Sequence, residues 1–146
     1  MSALILGDPA LDRDHLELLR LIQTLRDAPL TEAVPALDEL RSHAAKHFEV
    51  EDADLRRLRD GNSKCHLDEH AAVLKSLGEV REILAAGERD LETRQSMLSR
   101  LVAELVRWLP EHVQQMDAAV ASFRTKERLG GAPVVIARRP ATPEKT

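Results

Sequence analysis

The stretch LDELRSHAAKHFEVEDADLRRL, residues 37–58, decides the fold because its apolar residues recur every three or four positions. Such a stripe lies on one face of an α-helix and has to be buried against other helices. The stripe consists of Leu37, Leu40, Ala44, His47, Glu51, Leu55 and Leu58. His47 and Glu51 stand where leucine or valine would be expected. The segment therefore predicts an amphipathic helix whose buried face carries ionisable side chains.

The same helical period occurs in three other segments. The stripes are Leu11, His15, Leu18, Ile22 and Leu25 in the first segment, His66, His70, Val73, Leu77, Val80 and Leu84 in the third, and Leu98, Leu101, Leu105, His112, Met116 and Phe123 in the fourth. Helix-breaking residues separate the segments at Asp8-Pro9, Ala28-Pro29, Asp60-Gly61-Asn62, Gly87 and Gly130-Gly131. Four amphipathic helices with short connections predict an all-α fold, an antiparallel up-down-up-down four-helix bundle.

The bundle is predicted to occupy residues 1–129 as one domain, since 146 residues is an ordinary length for a single domain. Residues 130–146 lack a helical period and contain three prolines, so they are predicted to form a flexible, mobile C-terminal tail. Pro35 fits a helix only in its first turn, and Pro110 is predicted to kink the fourth helix.

The composition argues against several classes of protein. The net charge is −4, and no basic stripe predicts a nucleic-acid partner. No run approaches the roughly 20 apolar residues of a membrane-spanning helix. Cys65 is the only cysteine, which excludes an intrachain disulfide and a thiolate zinc cluster. Residues 1–7 lack the positive charge of a signal peptide, so a soluble, cytoplasmic protein is expected.

Ionisable residues on the apolar stripes are the main anomaly of the sequence. They are five of the six histidines and one glutamate, namely His15, His47, Glu51, His66, His70 and His112. A buried ionisable group costs several kcal/mol unless it is paired, neutralised or bound to metal. The antiparallel topology brings all of them to the same end of the bundle. A shared metal centre would explain the whole set.

The spacing of these residues suits metal binding. His47 and Glu51 are four residues apart, as are His66 and His70, so each pair projects from one helix face. Asp117 follows His112 by five residues, which turns a regular helix by about 140°. Either a local bulge adjusts the register, or the aspartate reaches in from the edge of the stripe. His43, one turn before His47, is interpreted as an exposed residue and not as an additional ligand.

Four short motifs occur in order along the chain. They are Asp12-Arg13-Asp14-His15, His47-Phe48-Glu49-Val50-Glu51, His66-Leu67-Asp68-Glu69-His70 and His112-Val113-Gln114-Gln115-Met116-Asp117. This set resembles the hemerythrin and bacteriohemerythrin family over roughly residues 4–125. Imidazole and carboxylate ligands also suit iron better than calcium or magnesium.

The resemblance implies two iron ions joined by an oxo or hydroxo bridge. One iron would take His66, His70 and His112, and the other His15 and His47. Glu51 and Asp117 would bridge them. Dioxygen would then bind at the vacant position of the second iron, in a pocket expected to be lined by aliphatic side chains such as Leu18, Leu19, Ile22 and Leu109.

The balance of ligand types favours reversible dioxygen binding over catalysis. Di-iron enzymes of this architecture use four carboxylates and two histidines. Five histidines and two carboxylates donate less negative charge, so the site is expected to bind and release dioxygen for storage, delivery or sensing. A sensor would need a separate protein partner. Two alternatives stay open: a redox enzyme acting on peroxide or nitric oxide, and an iron-dependent regulatory binding module.

Overall fold

The computed structural model describes residues 4–58 and 63–128, and it confirms the predicted all-α four-helix bundle. The first helix, α1, spans Pro9–Asp27. The side chain of Asp8 caps it by accepting hydrogen bonds from the backbone N–H groups of Ala10 and Leu11. The helix ends where Ala28 turns to an extended conformation, which the following proline favours.

The other helices follow the predicted order. A short 3₁₀ turn, Leu30–Glu32, leads into α2, which spans Ala33–Leu58 and holds Pro35 in its first turn as predicted. Helix α3 spans Ser63–Ala86. The fourth rod of the bundle consists of α4, Leu91–His112, a π-helical turn, Val113–Asp117, and α5, Ala118–Arg128.

Two predicted features fall outside the described residues. They are the helix break at Asp60-Gly61-Asn62 and the tail of residues 130–146, so the boundary of the tail stays a prediction. Within the described ranges, none of the helices is both long enough and apolar enough to cross a membrane.

The helices form a closed ring around the core. Helix α2 packs against α1 and α3, and α4 packs against α3 and α1, which is the neighbour pattern of an up-down-up-down bundle. Helix α5 packs on α2, and the guanidinium Nε of Arg124 donates to Oδ2 of Asp54 at 2.6 Å across that contact. This contact fixes the end of the fourth rod against α2, close to Asp117.

The core has two apolar parts with a polar layer between them. The larger part fills most of the bundle and includes Leu25, Leu37 and Leu77. The smaller part lies near the start of α1 and consists of Leu11, Leu55, Val120 and Ala121. Each of these four residues follows or precedes a predicted site residue by about one helical turn. The site therefore lies between two apolar clusters that shield it from water.

Candidate metal centre

The structure brings all seven predicted site residues together. Each side chain is buried, and none of the residues is more than 3% exposed; they are His15, His47, Glu51, His66, His70, His112 and Asp117. They come from α1, α2, α3 and the fourth rod. Burial of so many ionisable groups in one place requires a compensating partner, because each would otherwise pay the full cost of desolvation.

The π-helical turn explains how residues five positions apart reach one centre. A π-turn makes hydrogen bonds between residues i and i+5, and it places such residues nearly above one another. Here the turn spans Val113–Asp117, directly after His112. Nε2 of His112 lies 3.1 Å from Oδ1 of Asp117. Of the two explanations left open by the sequence, the structure shows the local bulge. Helix α4 continues through Pro110, and the irregularity begins only after His112.

The carboxylate of Glu51 is shared between two groups of histidines. Its Oε2 lies 3.1 Å from Nε2 of His47 and 3.7 Å from Nε2 of His15. Its Oε1 lies 3.2 Å from Nε2 of His70 and 3.7 Å from Nε2 of His66. Each oxygen therefore faces a different pair of imidazoles.

The two carboxylate oxygens of Asp117 also face different histidines. Its Oδ2 lies 2.8 Å from Nε2 of His15. Its Oδ1 lies 2.7 Å from Nε2 of His66 and 3.1 Å from Nε2 of His112. The two carboxylates thus define a three-histidine side, His66, His70 and His112, and a two-histidine side, His15 and His47. In each group of histidines and carboxylates, one ligand atom per residue lies within 4.8 Å of all the others.

The inward-facing atoms fit metal ions. Within the described ranges, several buried nitrogen and oxygen atoms have no hydrogen-bond partner although they lie close together: Nε2 of His15, Nε2 of His47, Nε2 of His66, and both carboxylate oxygens of Glu51 and of Asp117. Buried polar atoms are rarely left without a partner. Their short separations without hydrogen-bond geometry indicate that the lone pairs point toward shared positions, as metal ligands do. The arrangement is therefore a candidate metal site with room for bridging carboxylates.

Three carboxylates that the sequence analysis did not single out contact the outer nitrogens of three of the histidines. The outer nitrogen is Nδ1, the ring nitrogen on the side away from Glu51 and Asp117. Oδ2 of Asp14 lies 3.1 Å from Nδ1 of His47, and Oδ1 of Asp52 lies 2.8 Å from Nδ1 of His70. Oε1 of Glu69 lies 2.5 Å from Nδ1 of His112. Such contacts fix the tautomer and the orientation of a ligating imidazole and make it a stronger donor.

Two aromatic rings support the same histidines. Phe48 stacks on His70 with 4.0 Å between ring centroids and 6° between the planes. Trp108 stacks on His112 at 4.5 Å and 27°, and its indole N–H donates to Oε1 of Glu69 at 2.8 Å. The three-histidine side is therefore held by packing as well as by hydrogen bonds.

His43 does not belong to the centre, in agreement with its interpretation from the sequence. It lies in neither group of candidate ligands. It is half-buried and not exposed as expected, however, and its Nε2 is buried without a hydrogen-bond partner among the described residues.

The buried imidazoles and carboxylates of the centre shift one another's pKa values. Burial would lower the pKa of His15, but the carboxylates of Asp117 and Glu51 outweigh it and raise that pKa to about 9. Burial also opposes the charged form of Asp117, yet the facing imidazoles of His112, His15 and His66 hold its pKa below the ordinary value. In the metal-free protein near neutral pH, His15 is therefore protonated and Asp117 is ionised. A metal ion has to displace that proton when it binds.

The metal-free protein is expected to lose stability as the pH rises from about 6.5 to about 9. A raised pKa in the folded state stabilises the fold fully below the unfolded value of 6.5, and this contribution disappears as the pH passes the folded value of His15 near 9. Urea unfolding of chelator-treated protein across this range would measure the effect. A His15→Gln variant should lose part of the pH dependence, and a wild-type protein that is more stable at the alkaline end would contradict the prediction.

A small apolar cavity begins one helical turn from the centre. It is lined by Leu18, Ile22, Leu40, Ala44, Phe48, Val73, Leu77, Leu105, Trp108 and Leu109. Three of the four residues predicted from the sequence line it, and Leu19 does not. Phe48 and Trp108 belong both to this wall and to the stacks on His70 and His112, so the wall is not purely aliphatic as expected. The cavity therefore adjoins the histidines directly.

These features define a protein of the class in which a four-helix bundle holds a metal centre of histidines and carboxylates between its helices. A model of the hemerythrin HHE cation binding domain matches residues 6–123, and the chain belongs to this family. It is 35% identical over 122 residues to a bacteriohemerythrin from Ralstonia nicotianae, covering 84% of this chain and 85% of the relative. No solved structure matches significantly.

Proposed function

We propose that this chain holds two iron ions and binds dioxygen reversibly. His66, His70 and His112 would hold one ion, and His15 and His47 the other, with Glu51 and Asp117 bridging both. The single observation that carries this proposal is the division of each carboxylate, whose two oxygens face different groups of histidines. Imidazole and carboxylate donors suit iron, and membership of the hemerythrin family supports the same metal.

The two sides of the centre differ in the number of ligands that the chain supplies. The three-histidine side has five candidate ligands, and the two-histidine side has four, both counts including Glu51 and Asp117. An octahedral ion on the two-histidine side would retain more open positions for an external ligand. When bound, a pair of ferrous ions supplies two electrons to dioxygen and recovers them on release. The side at His15 and His47 is therefore the proposed dioxygen position.

The surroundings of the centre favour release of dioxygen over its further reduction. The apolar cavity and the small cluster around Leu11 cover the centre from both ends, which keeps water and its protons away. Among the histidines of the centre, Asp14, Asp52 and Glu69 contact the outer nitrogens, Nδ1, of His47, His70 and His112 and not the inward-facing Nε2 atoms. The chain thus places its additional carboxylates where they orient ligands.

A cycle of oxygenation tests the proposed function. The reduced, iron-loaded protein is expected to be colourless, to turn orange or pink in air, and to bleach when oxygen is removed, as its family membership implies. Absorption spectra recorded over repeated cycles of air and argon measure this. Irreversible oxidation on first contact with air, or steady turnover of added peroxide or nitric oxide, would contradict the carrier function and favour the redox enzyme.

A further inference from the structure

The outer carboxylates follow a rule that runs around the bundle. Each one is the chain neighbour of a candidate ligand on its own helix and binds a histidine on the next helix. Asp14, beside His15 on α1, binds His47 on α2, and Asp52, beside Glu51 on α2, binds His70 on α3. Glu69, beside His70 on α3, binds His112 on α4. Neighbouring residues of a helix point about 100° apart, so such a neighbour faces the adjacent helix.

The rule is broken at the last step, from the fourth rod back to α1. The fourth rod carries two candidate ligands, His112 and Asp117. The chain neighbours of Asp117 are Met116 and Ala118, and neither carries a carboxylate. Glu111, beside His112, is exposed, and the described carboxylate contacts of His15 are with Glu51 and Asp117 instead. His15 is fully buried, and its Nδ1 has no hydrogen-bond partner within residues 4–58 and 63–128. Among the ligand histidines and within the described residues, His15 is therefore the one whose Nδ1 is buried without a partner, and it belongs to the two-histidine side.

Two further properties favour tighter metal binding on the three-histidine side than on the two-histidine side. The three-histidine side offers five ligands against four, and two of its histidines are fixed by Asp52 and Glu69. Loss of such an outer partner typically weakens metal binding by about 10–100-fold. In addition, the first ion to bind uses the charge of both shared carboxylates, Glu51 and Asp117, and leaves less of it for the second ion.

We infer that the two metal positions fill in order, first at His66, His70 and His112 and then, more weakly, at His15 and His47. The protein accordingly has a stable one-metal form, and its complete centre depends on the concentration of available iron. This inference rests on the proposed di-iron function and assigns to that site a regulation by metal supply. Asp14 is then a positioning residue. Among the described residues, His47 is the one histidine of the weaker side whose Nδ1 contacts a carboxylate, and that carboxylate is Asp14.

Trp108 provides a reporter that distinguishes the two positions. It is the only tryptophan of the chain, and it stacks on His112 and shares Glu69 with it. No comparable contact joins it to His15 or His47 among the described residues. Its fluorescence is therefore expected to respond to the first ion and to change little with the second.

The test is an anaerobic titration of the metal-free protein with ferrous iron, in which Trp108 fluorescence and bound iron are measured together. The fluorescence change should be complete at one equivalent, while iron uptake continues to two. A fluorescence change that follows uptake all the way to two equivalents, or uptake in a single transition, would overturn the ordered filling alone. Saturation at fewer than two irons would overturn the di-iron proposal and this inference with it.

Matched variants locate the two steps. Asp14→Asn should weaken only the second equivalent, by about 10–100-fold, and Asp14→Glu should restore part of the loss. Asp68→Asn is the control, because Asp68 is an exposed acidic residue that pairs with Lys64. Glu69→Gln should weaken the first equivalent and alter the fluorescence of the metal-free protein. The inference fails if Asp14→Asn weakens the first equivalent, or if it behaves like Asp68→Asn.

Discussion

Replacing Glu51 by alanine is expected to empty both metal positions. Its two oxygens face the two histidine groups separately, so a single substitution removes a ligand from each position and also half of the carboxylate charge that the metal ions require. The affinity for iron should fall by more than about 100-fold at both positions, since even the loss of an outer partner costs 10–100-fold. Iron content after anaerobic reconstitution and desalting measures the effect.

His43→Ala is the matched control for this substitution. His43 lies on the same helix, two turns before Glu51, but it belongs to neither ligand group. Its variant should retain both irons. If His43→Ala loses iron while Glu51→Ala keeps it, the assignment of ligands is wrong.

Removing the metal is expected to lower the melting temperature by at least about 10 °C. Metal ions that bind only the folded chain stabilise it by roughly 4 kcal/mol when their concentration is about a thousand times the dissociation constant, which corresponds to a shift of this size for a domain of this length. The metal-free chain also has to keep seven ionisable residues buried without their partner. Calorimetric scans with and without a chelator would measure the difference.

The Glu51→Ala variant supplies the control for the calorimetry. Because it is expected to bind no iron, its melting temperature should not respond to the chelator. A wild-type protein whose melting temperature is equally insensitive would show that the centre does not hold metal under these conditions.

The helices and most of the centre could be predicted from the sequence because they obey one period. His15, His47, Glu51, His66 and His70 occupy positions that regular helical spacing assigns to the core, and their burial is what the pattern requires. Asp117 could not be placed with certainty, since its position depends on the π-turn. A turn of this kind adds one residue to the local period, and nothing in the apolar pattern marks it.

The roles of the three outer carboxylates could not be predicted from the sequence for a different reason. Asp14, Asp52 and Glu69 lie at the edge of their helices, with side chains between 24% and 39% exposed. On a sequence such residues look like ordinary solvated positions. Their one usable signal is adjacency to a ligand, which becomes informative only when the order of neighbouring helices is known.

Asp12, in the first of the four motifs, has a structural role. Asp12 lies outside the centre, and its carboxylate accepts hydrogen bonds from the backbone N–H groups of Leu6 and Gly7 at 2.7 and 3.1 Å. It thereby anchors the segment before α1, in which Leu4 is buried in the core. The acidic residue three positions before His15 is therefore a structural element of the helix start.

Anomalous diffraction at the iron edge from crystals of the iron-loaded protein would locate the metal ions directly. Two iron peaks are expected, about 3.5–4 Å apart as in other two-metal sites. One peak should lie within bonding distance of Nε2 of His66, His70 and His112, and the other within bonding distance of Nε2 of His15 and His47, with oxygens of Glu51 and Asp117 reaching both. A single peak in fully loaded crystals, or two peaks that do not share these carboxylates, would contradict a di-iron centre bridged by Glu51 and Asp117.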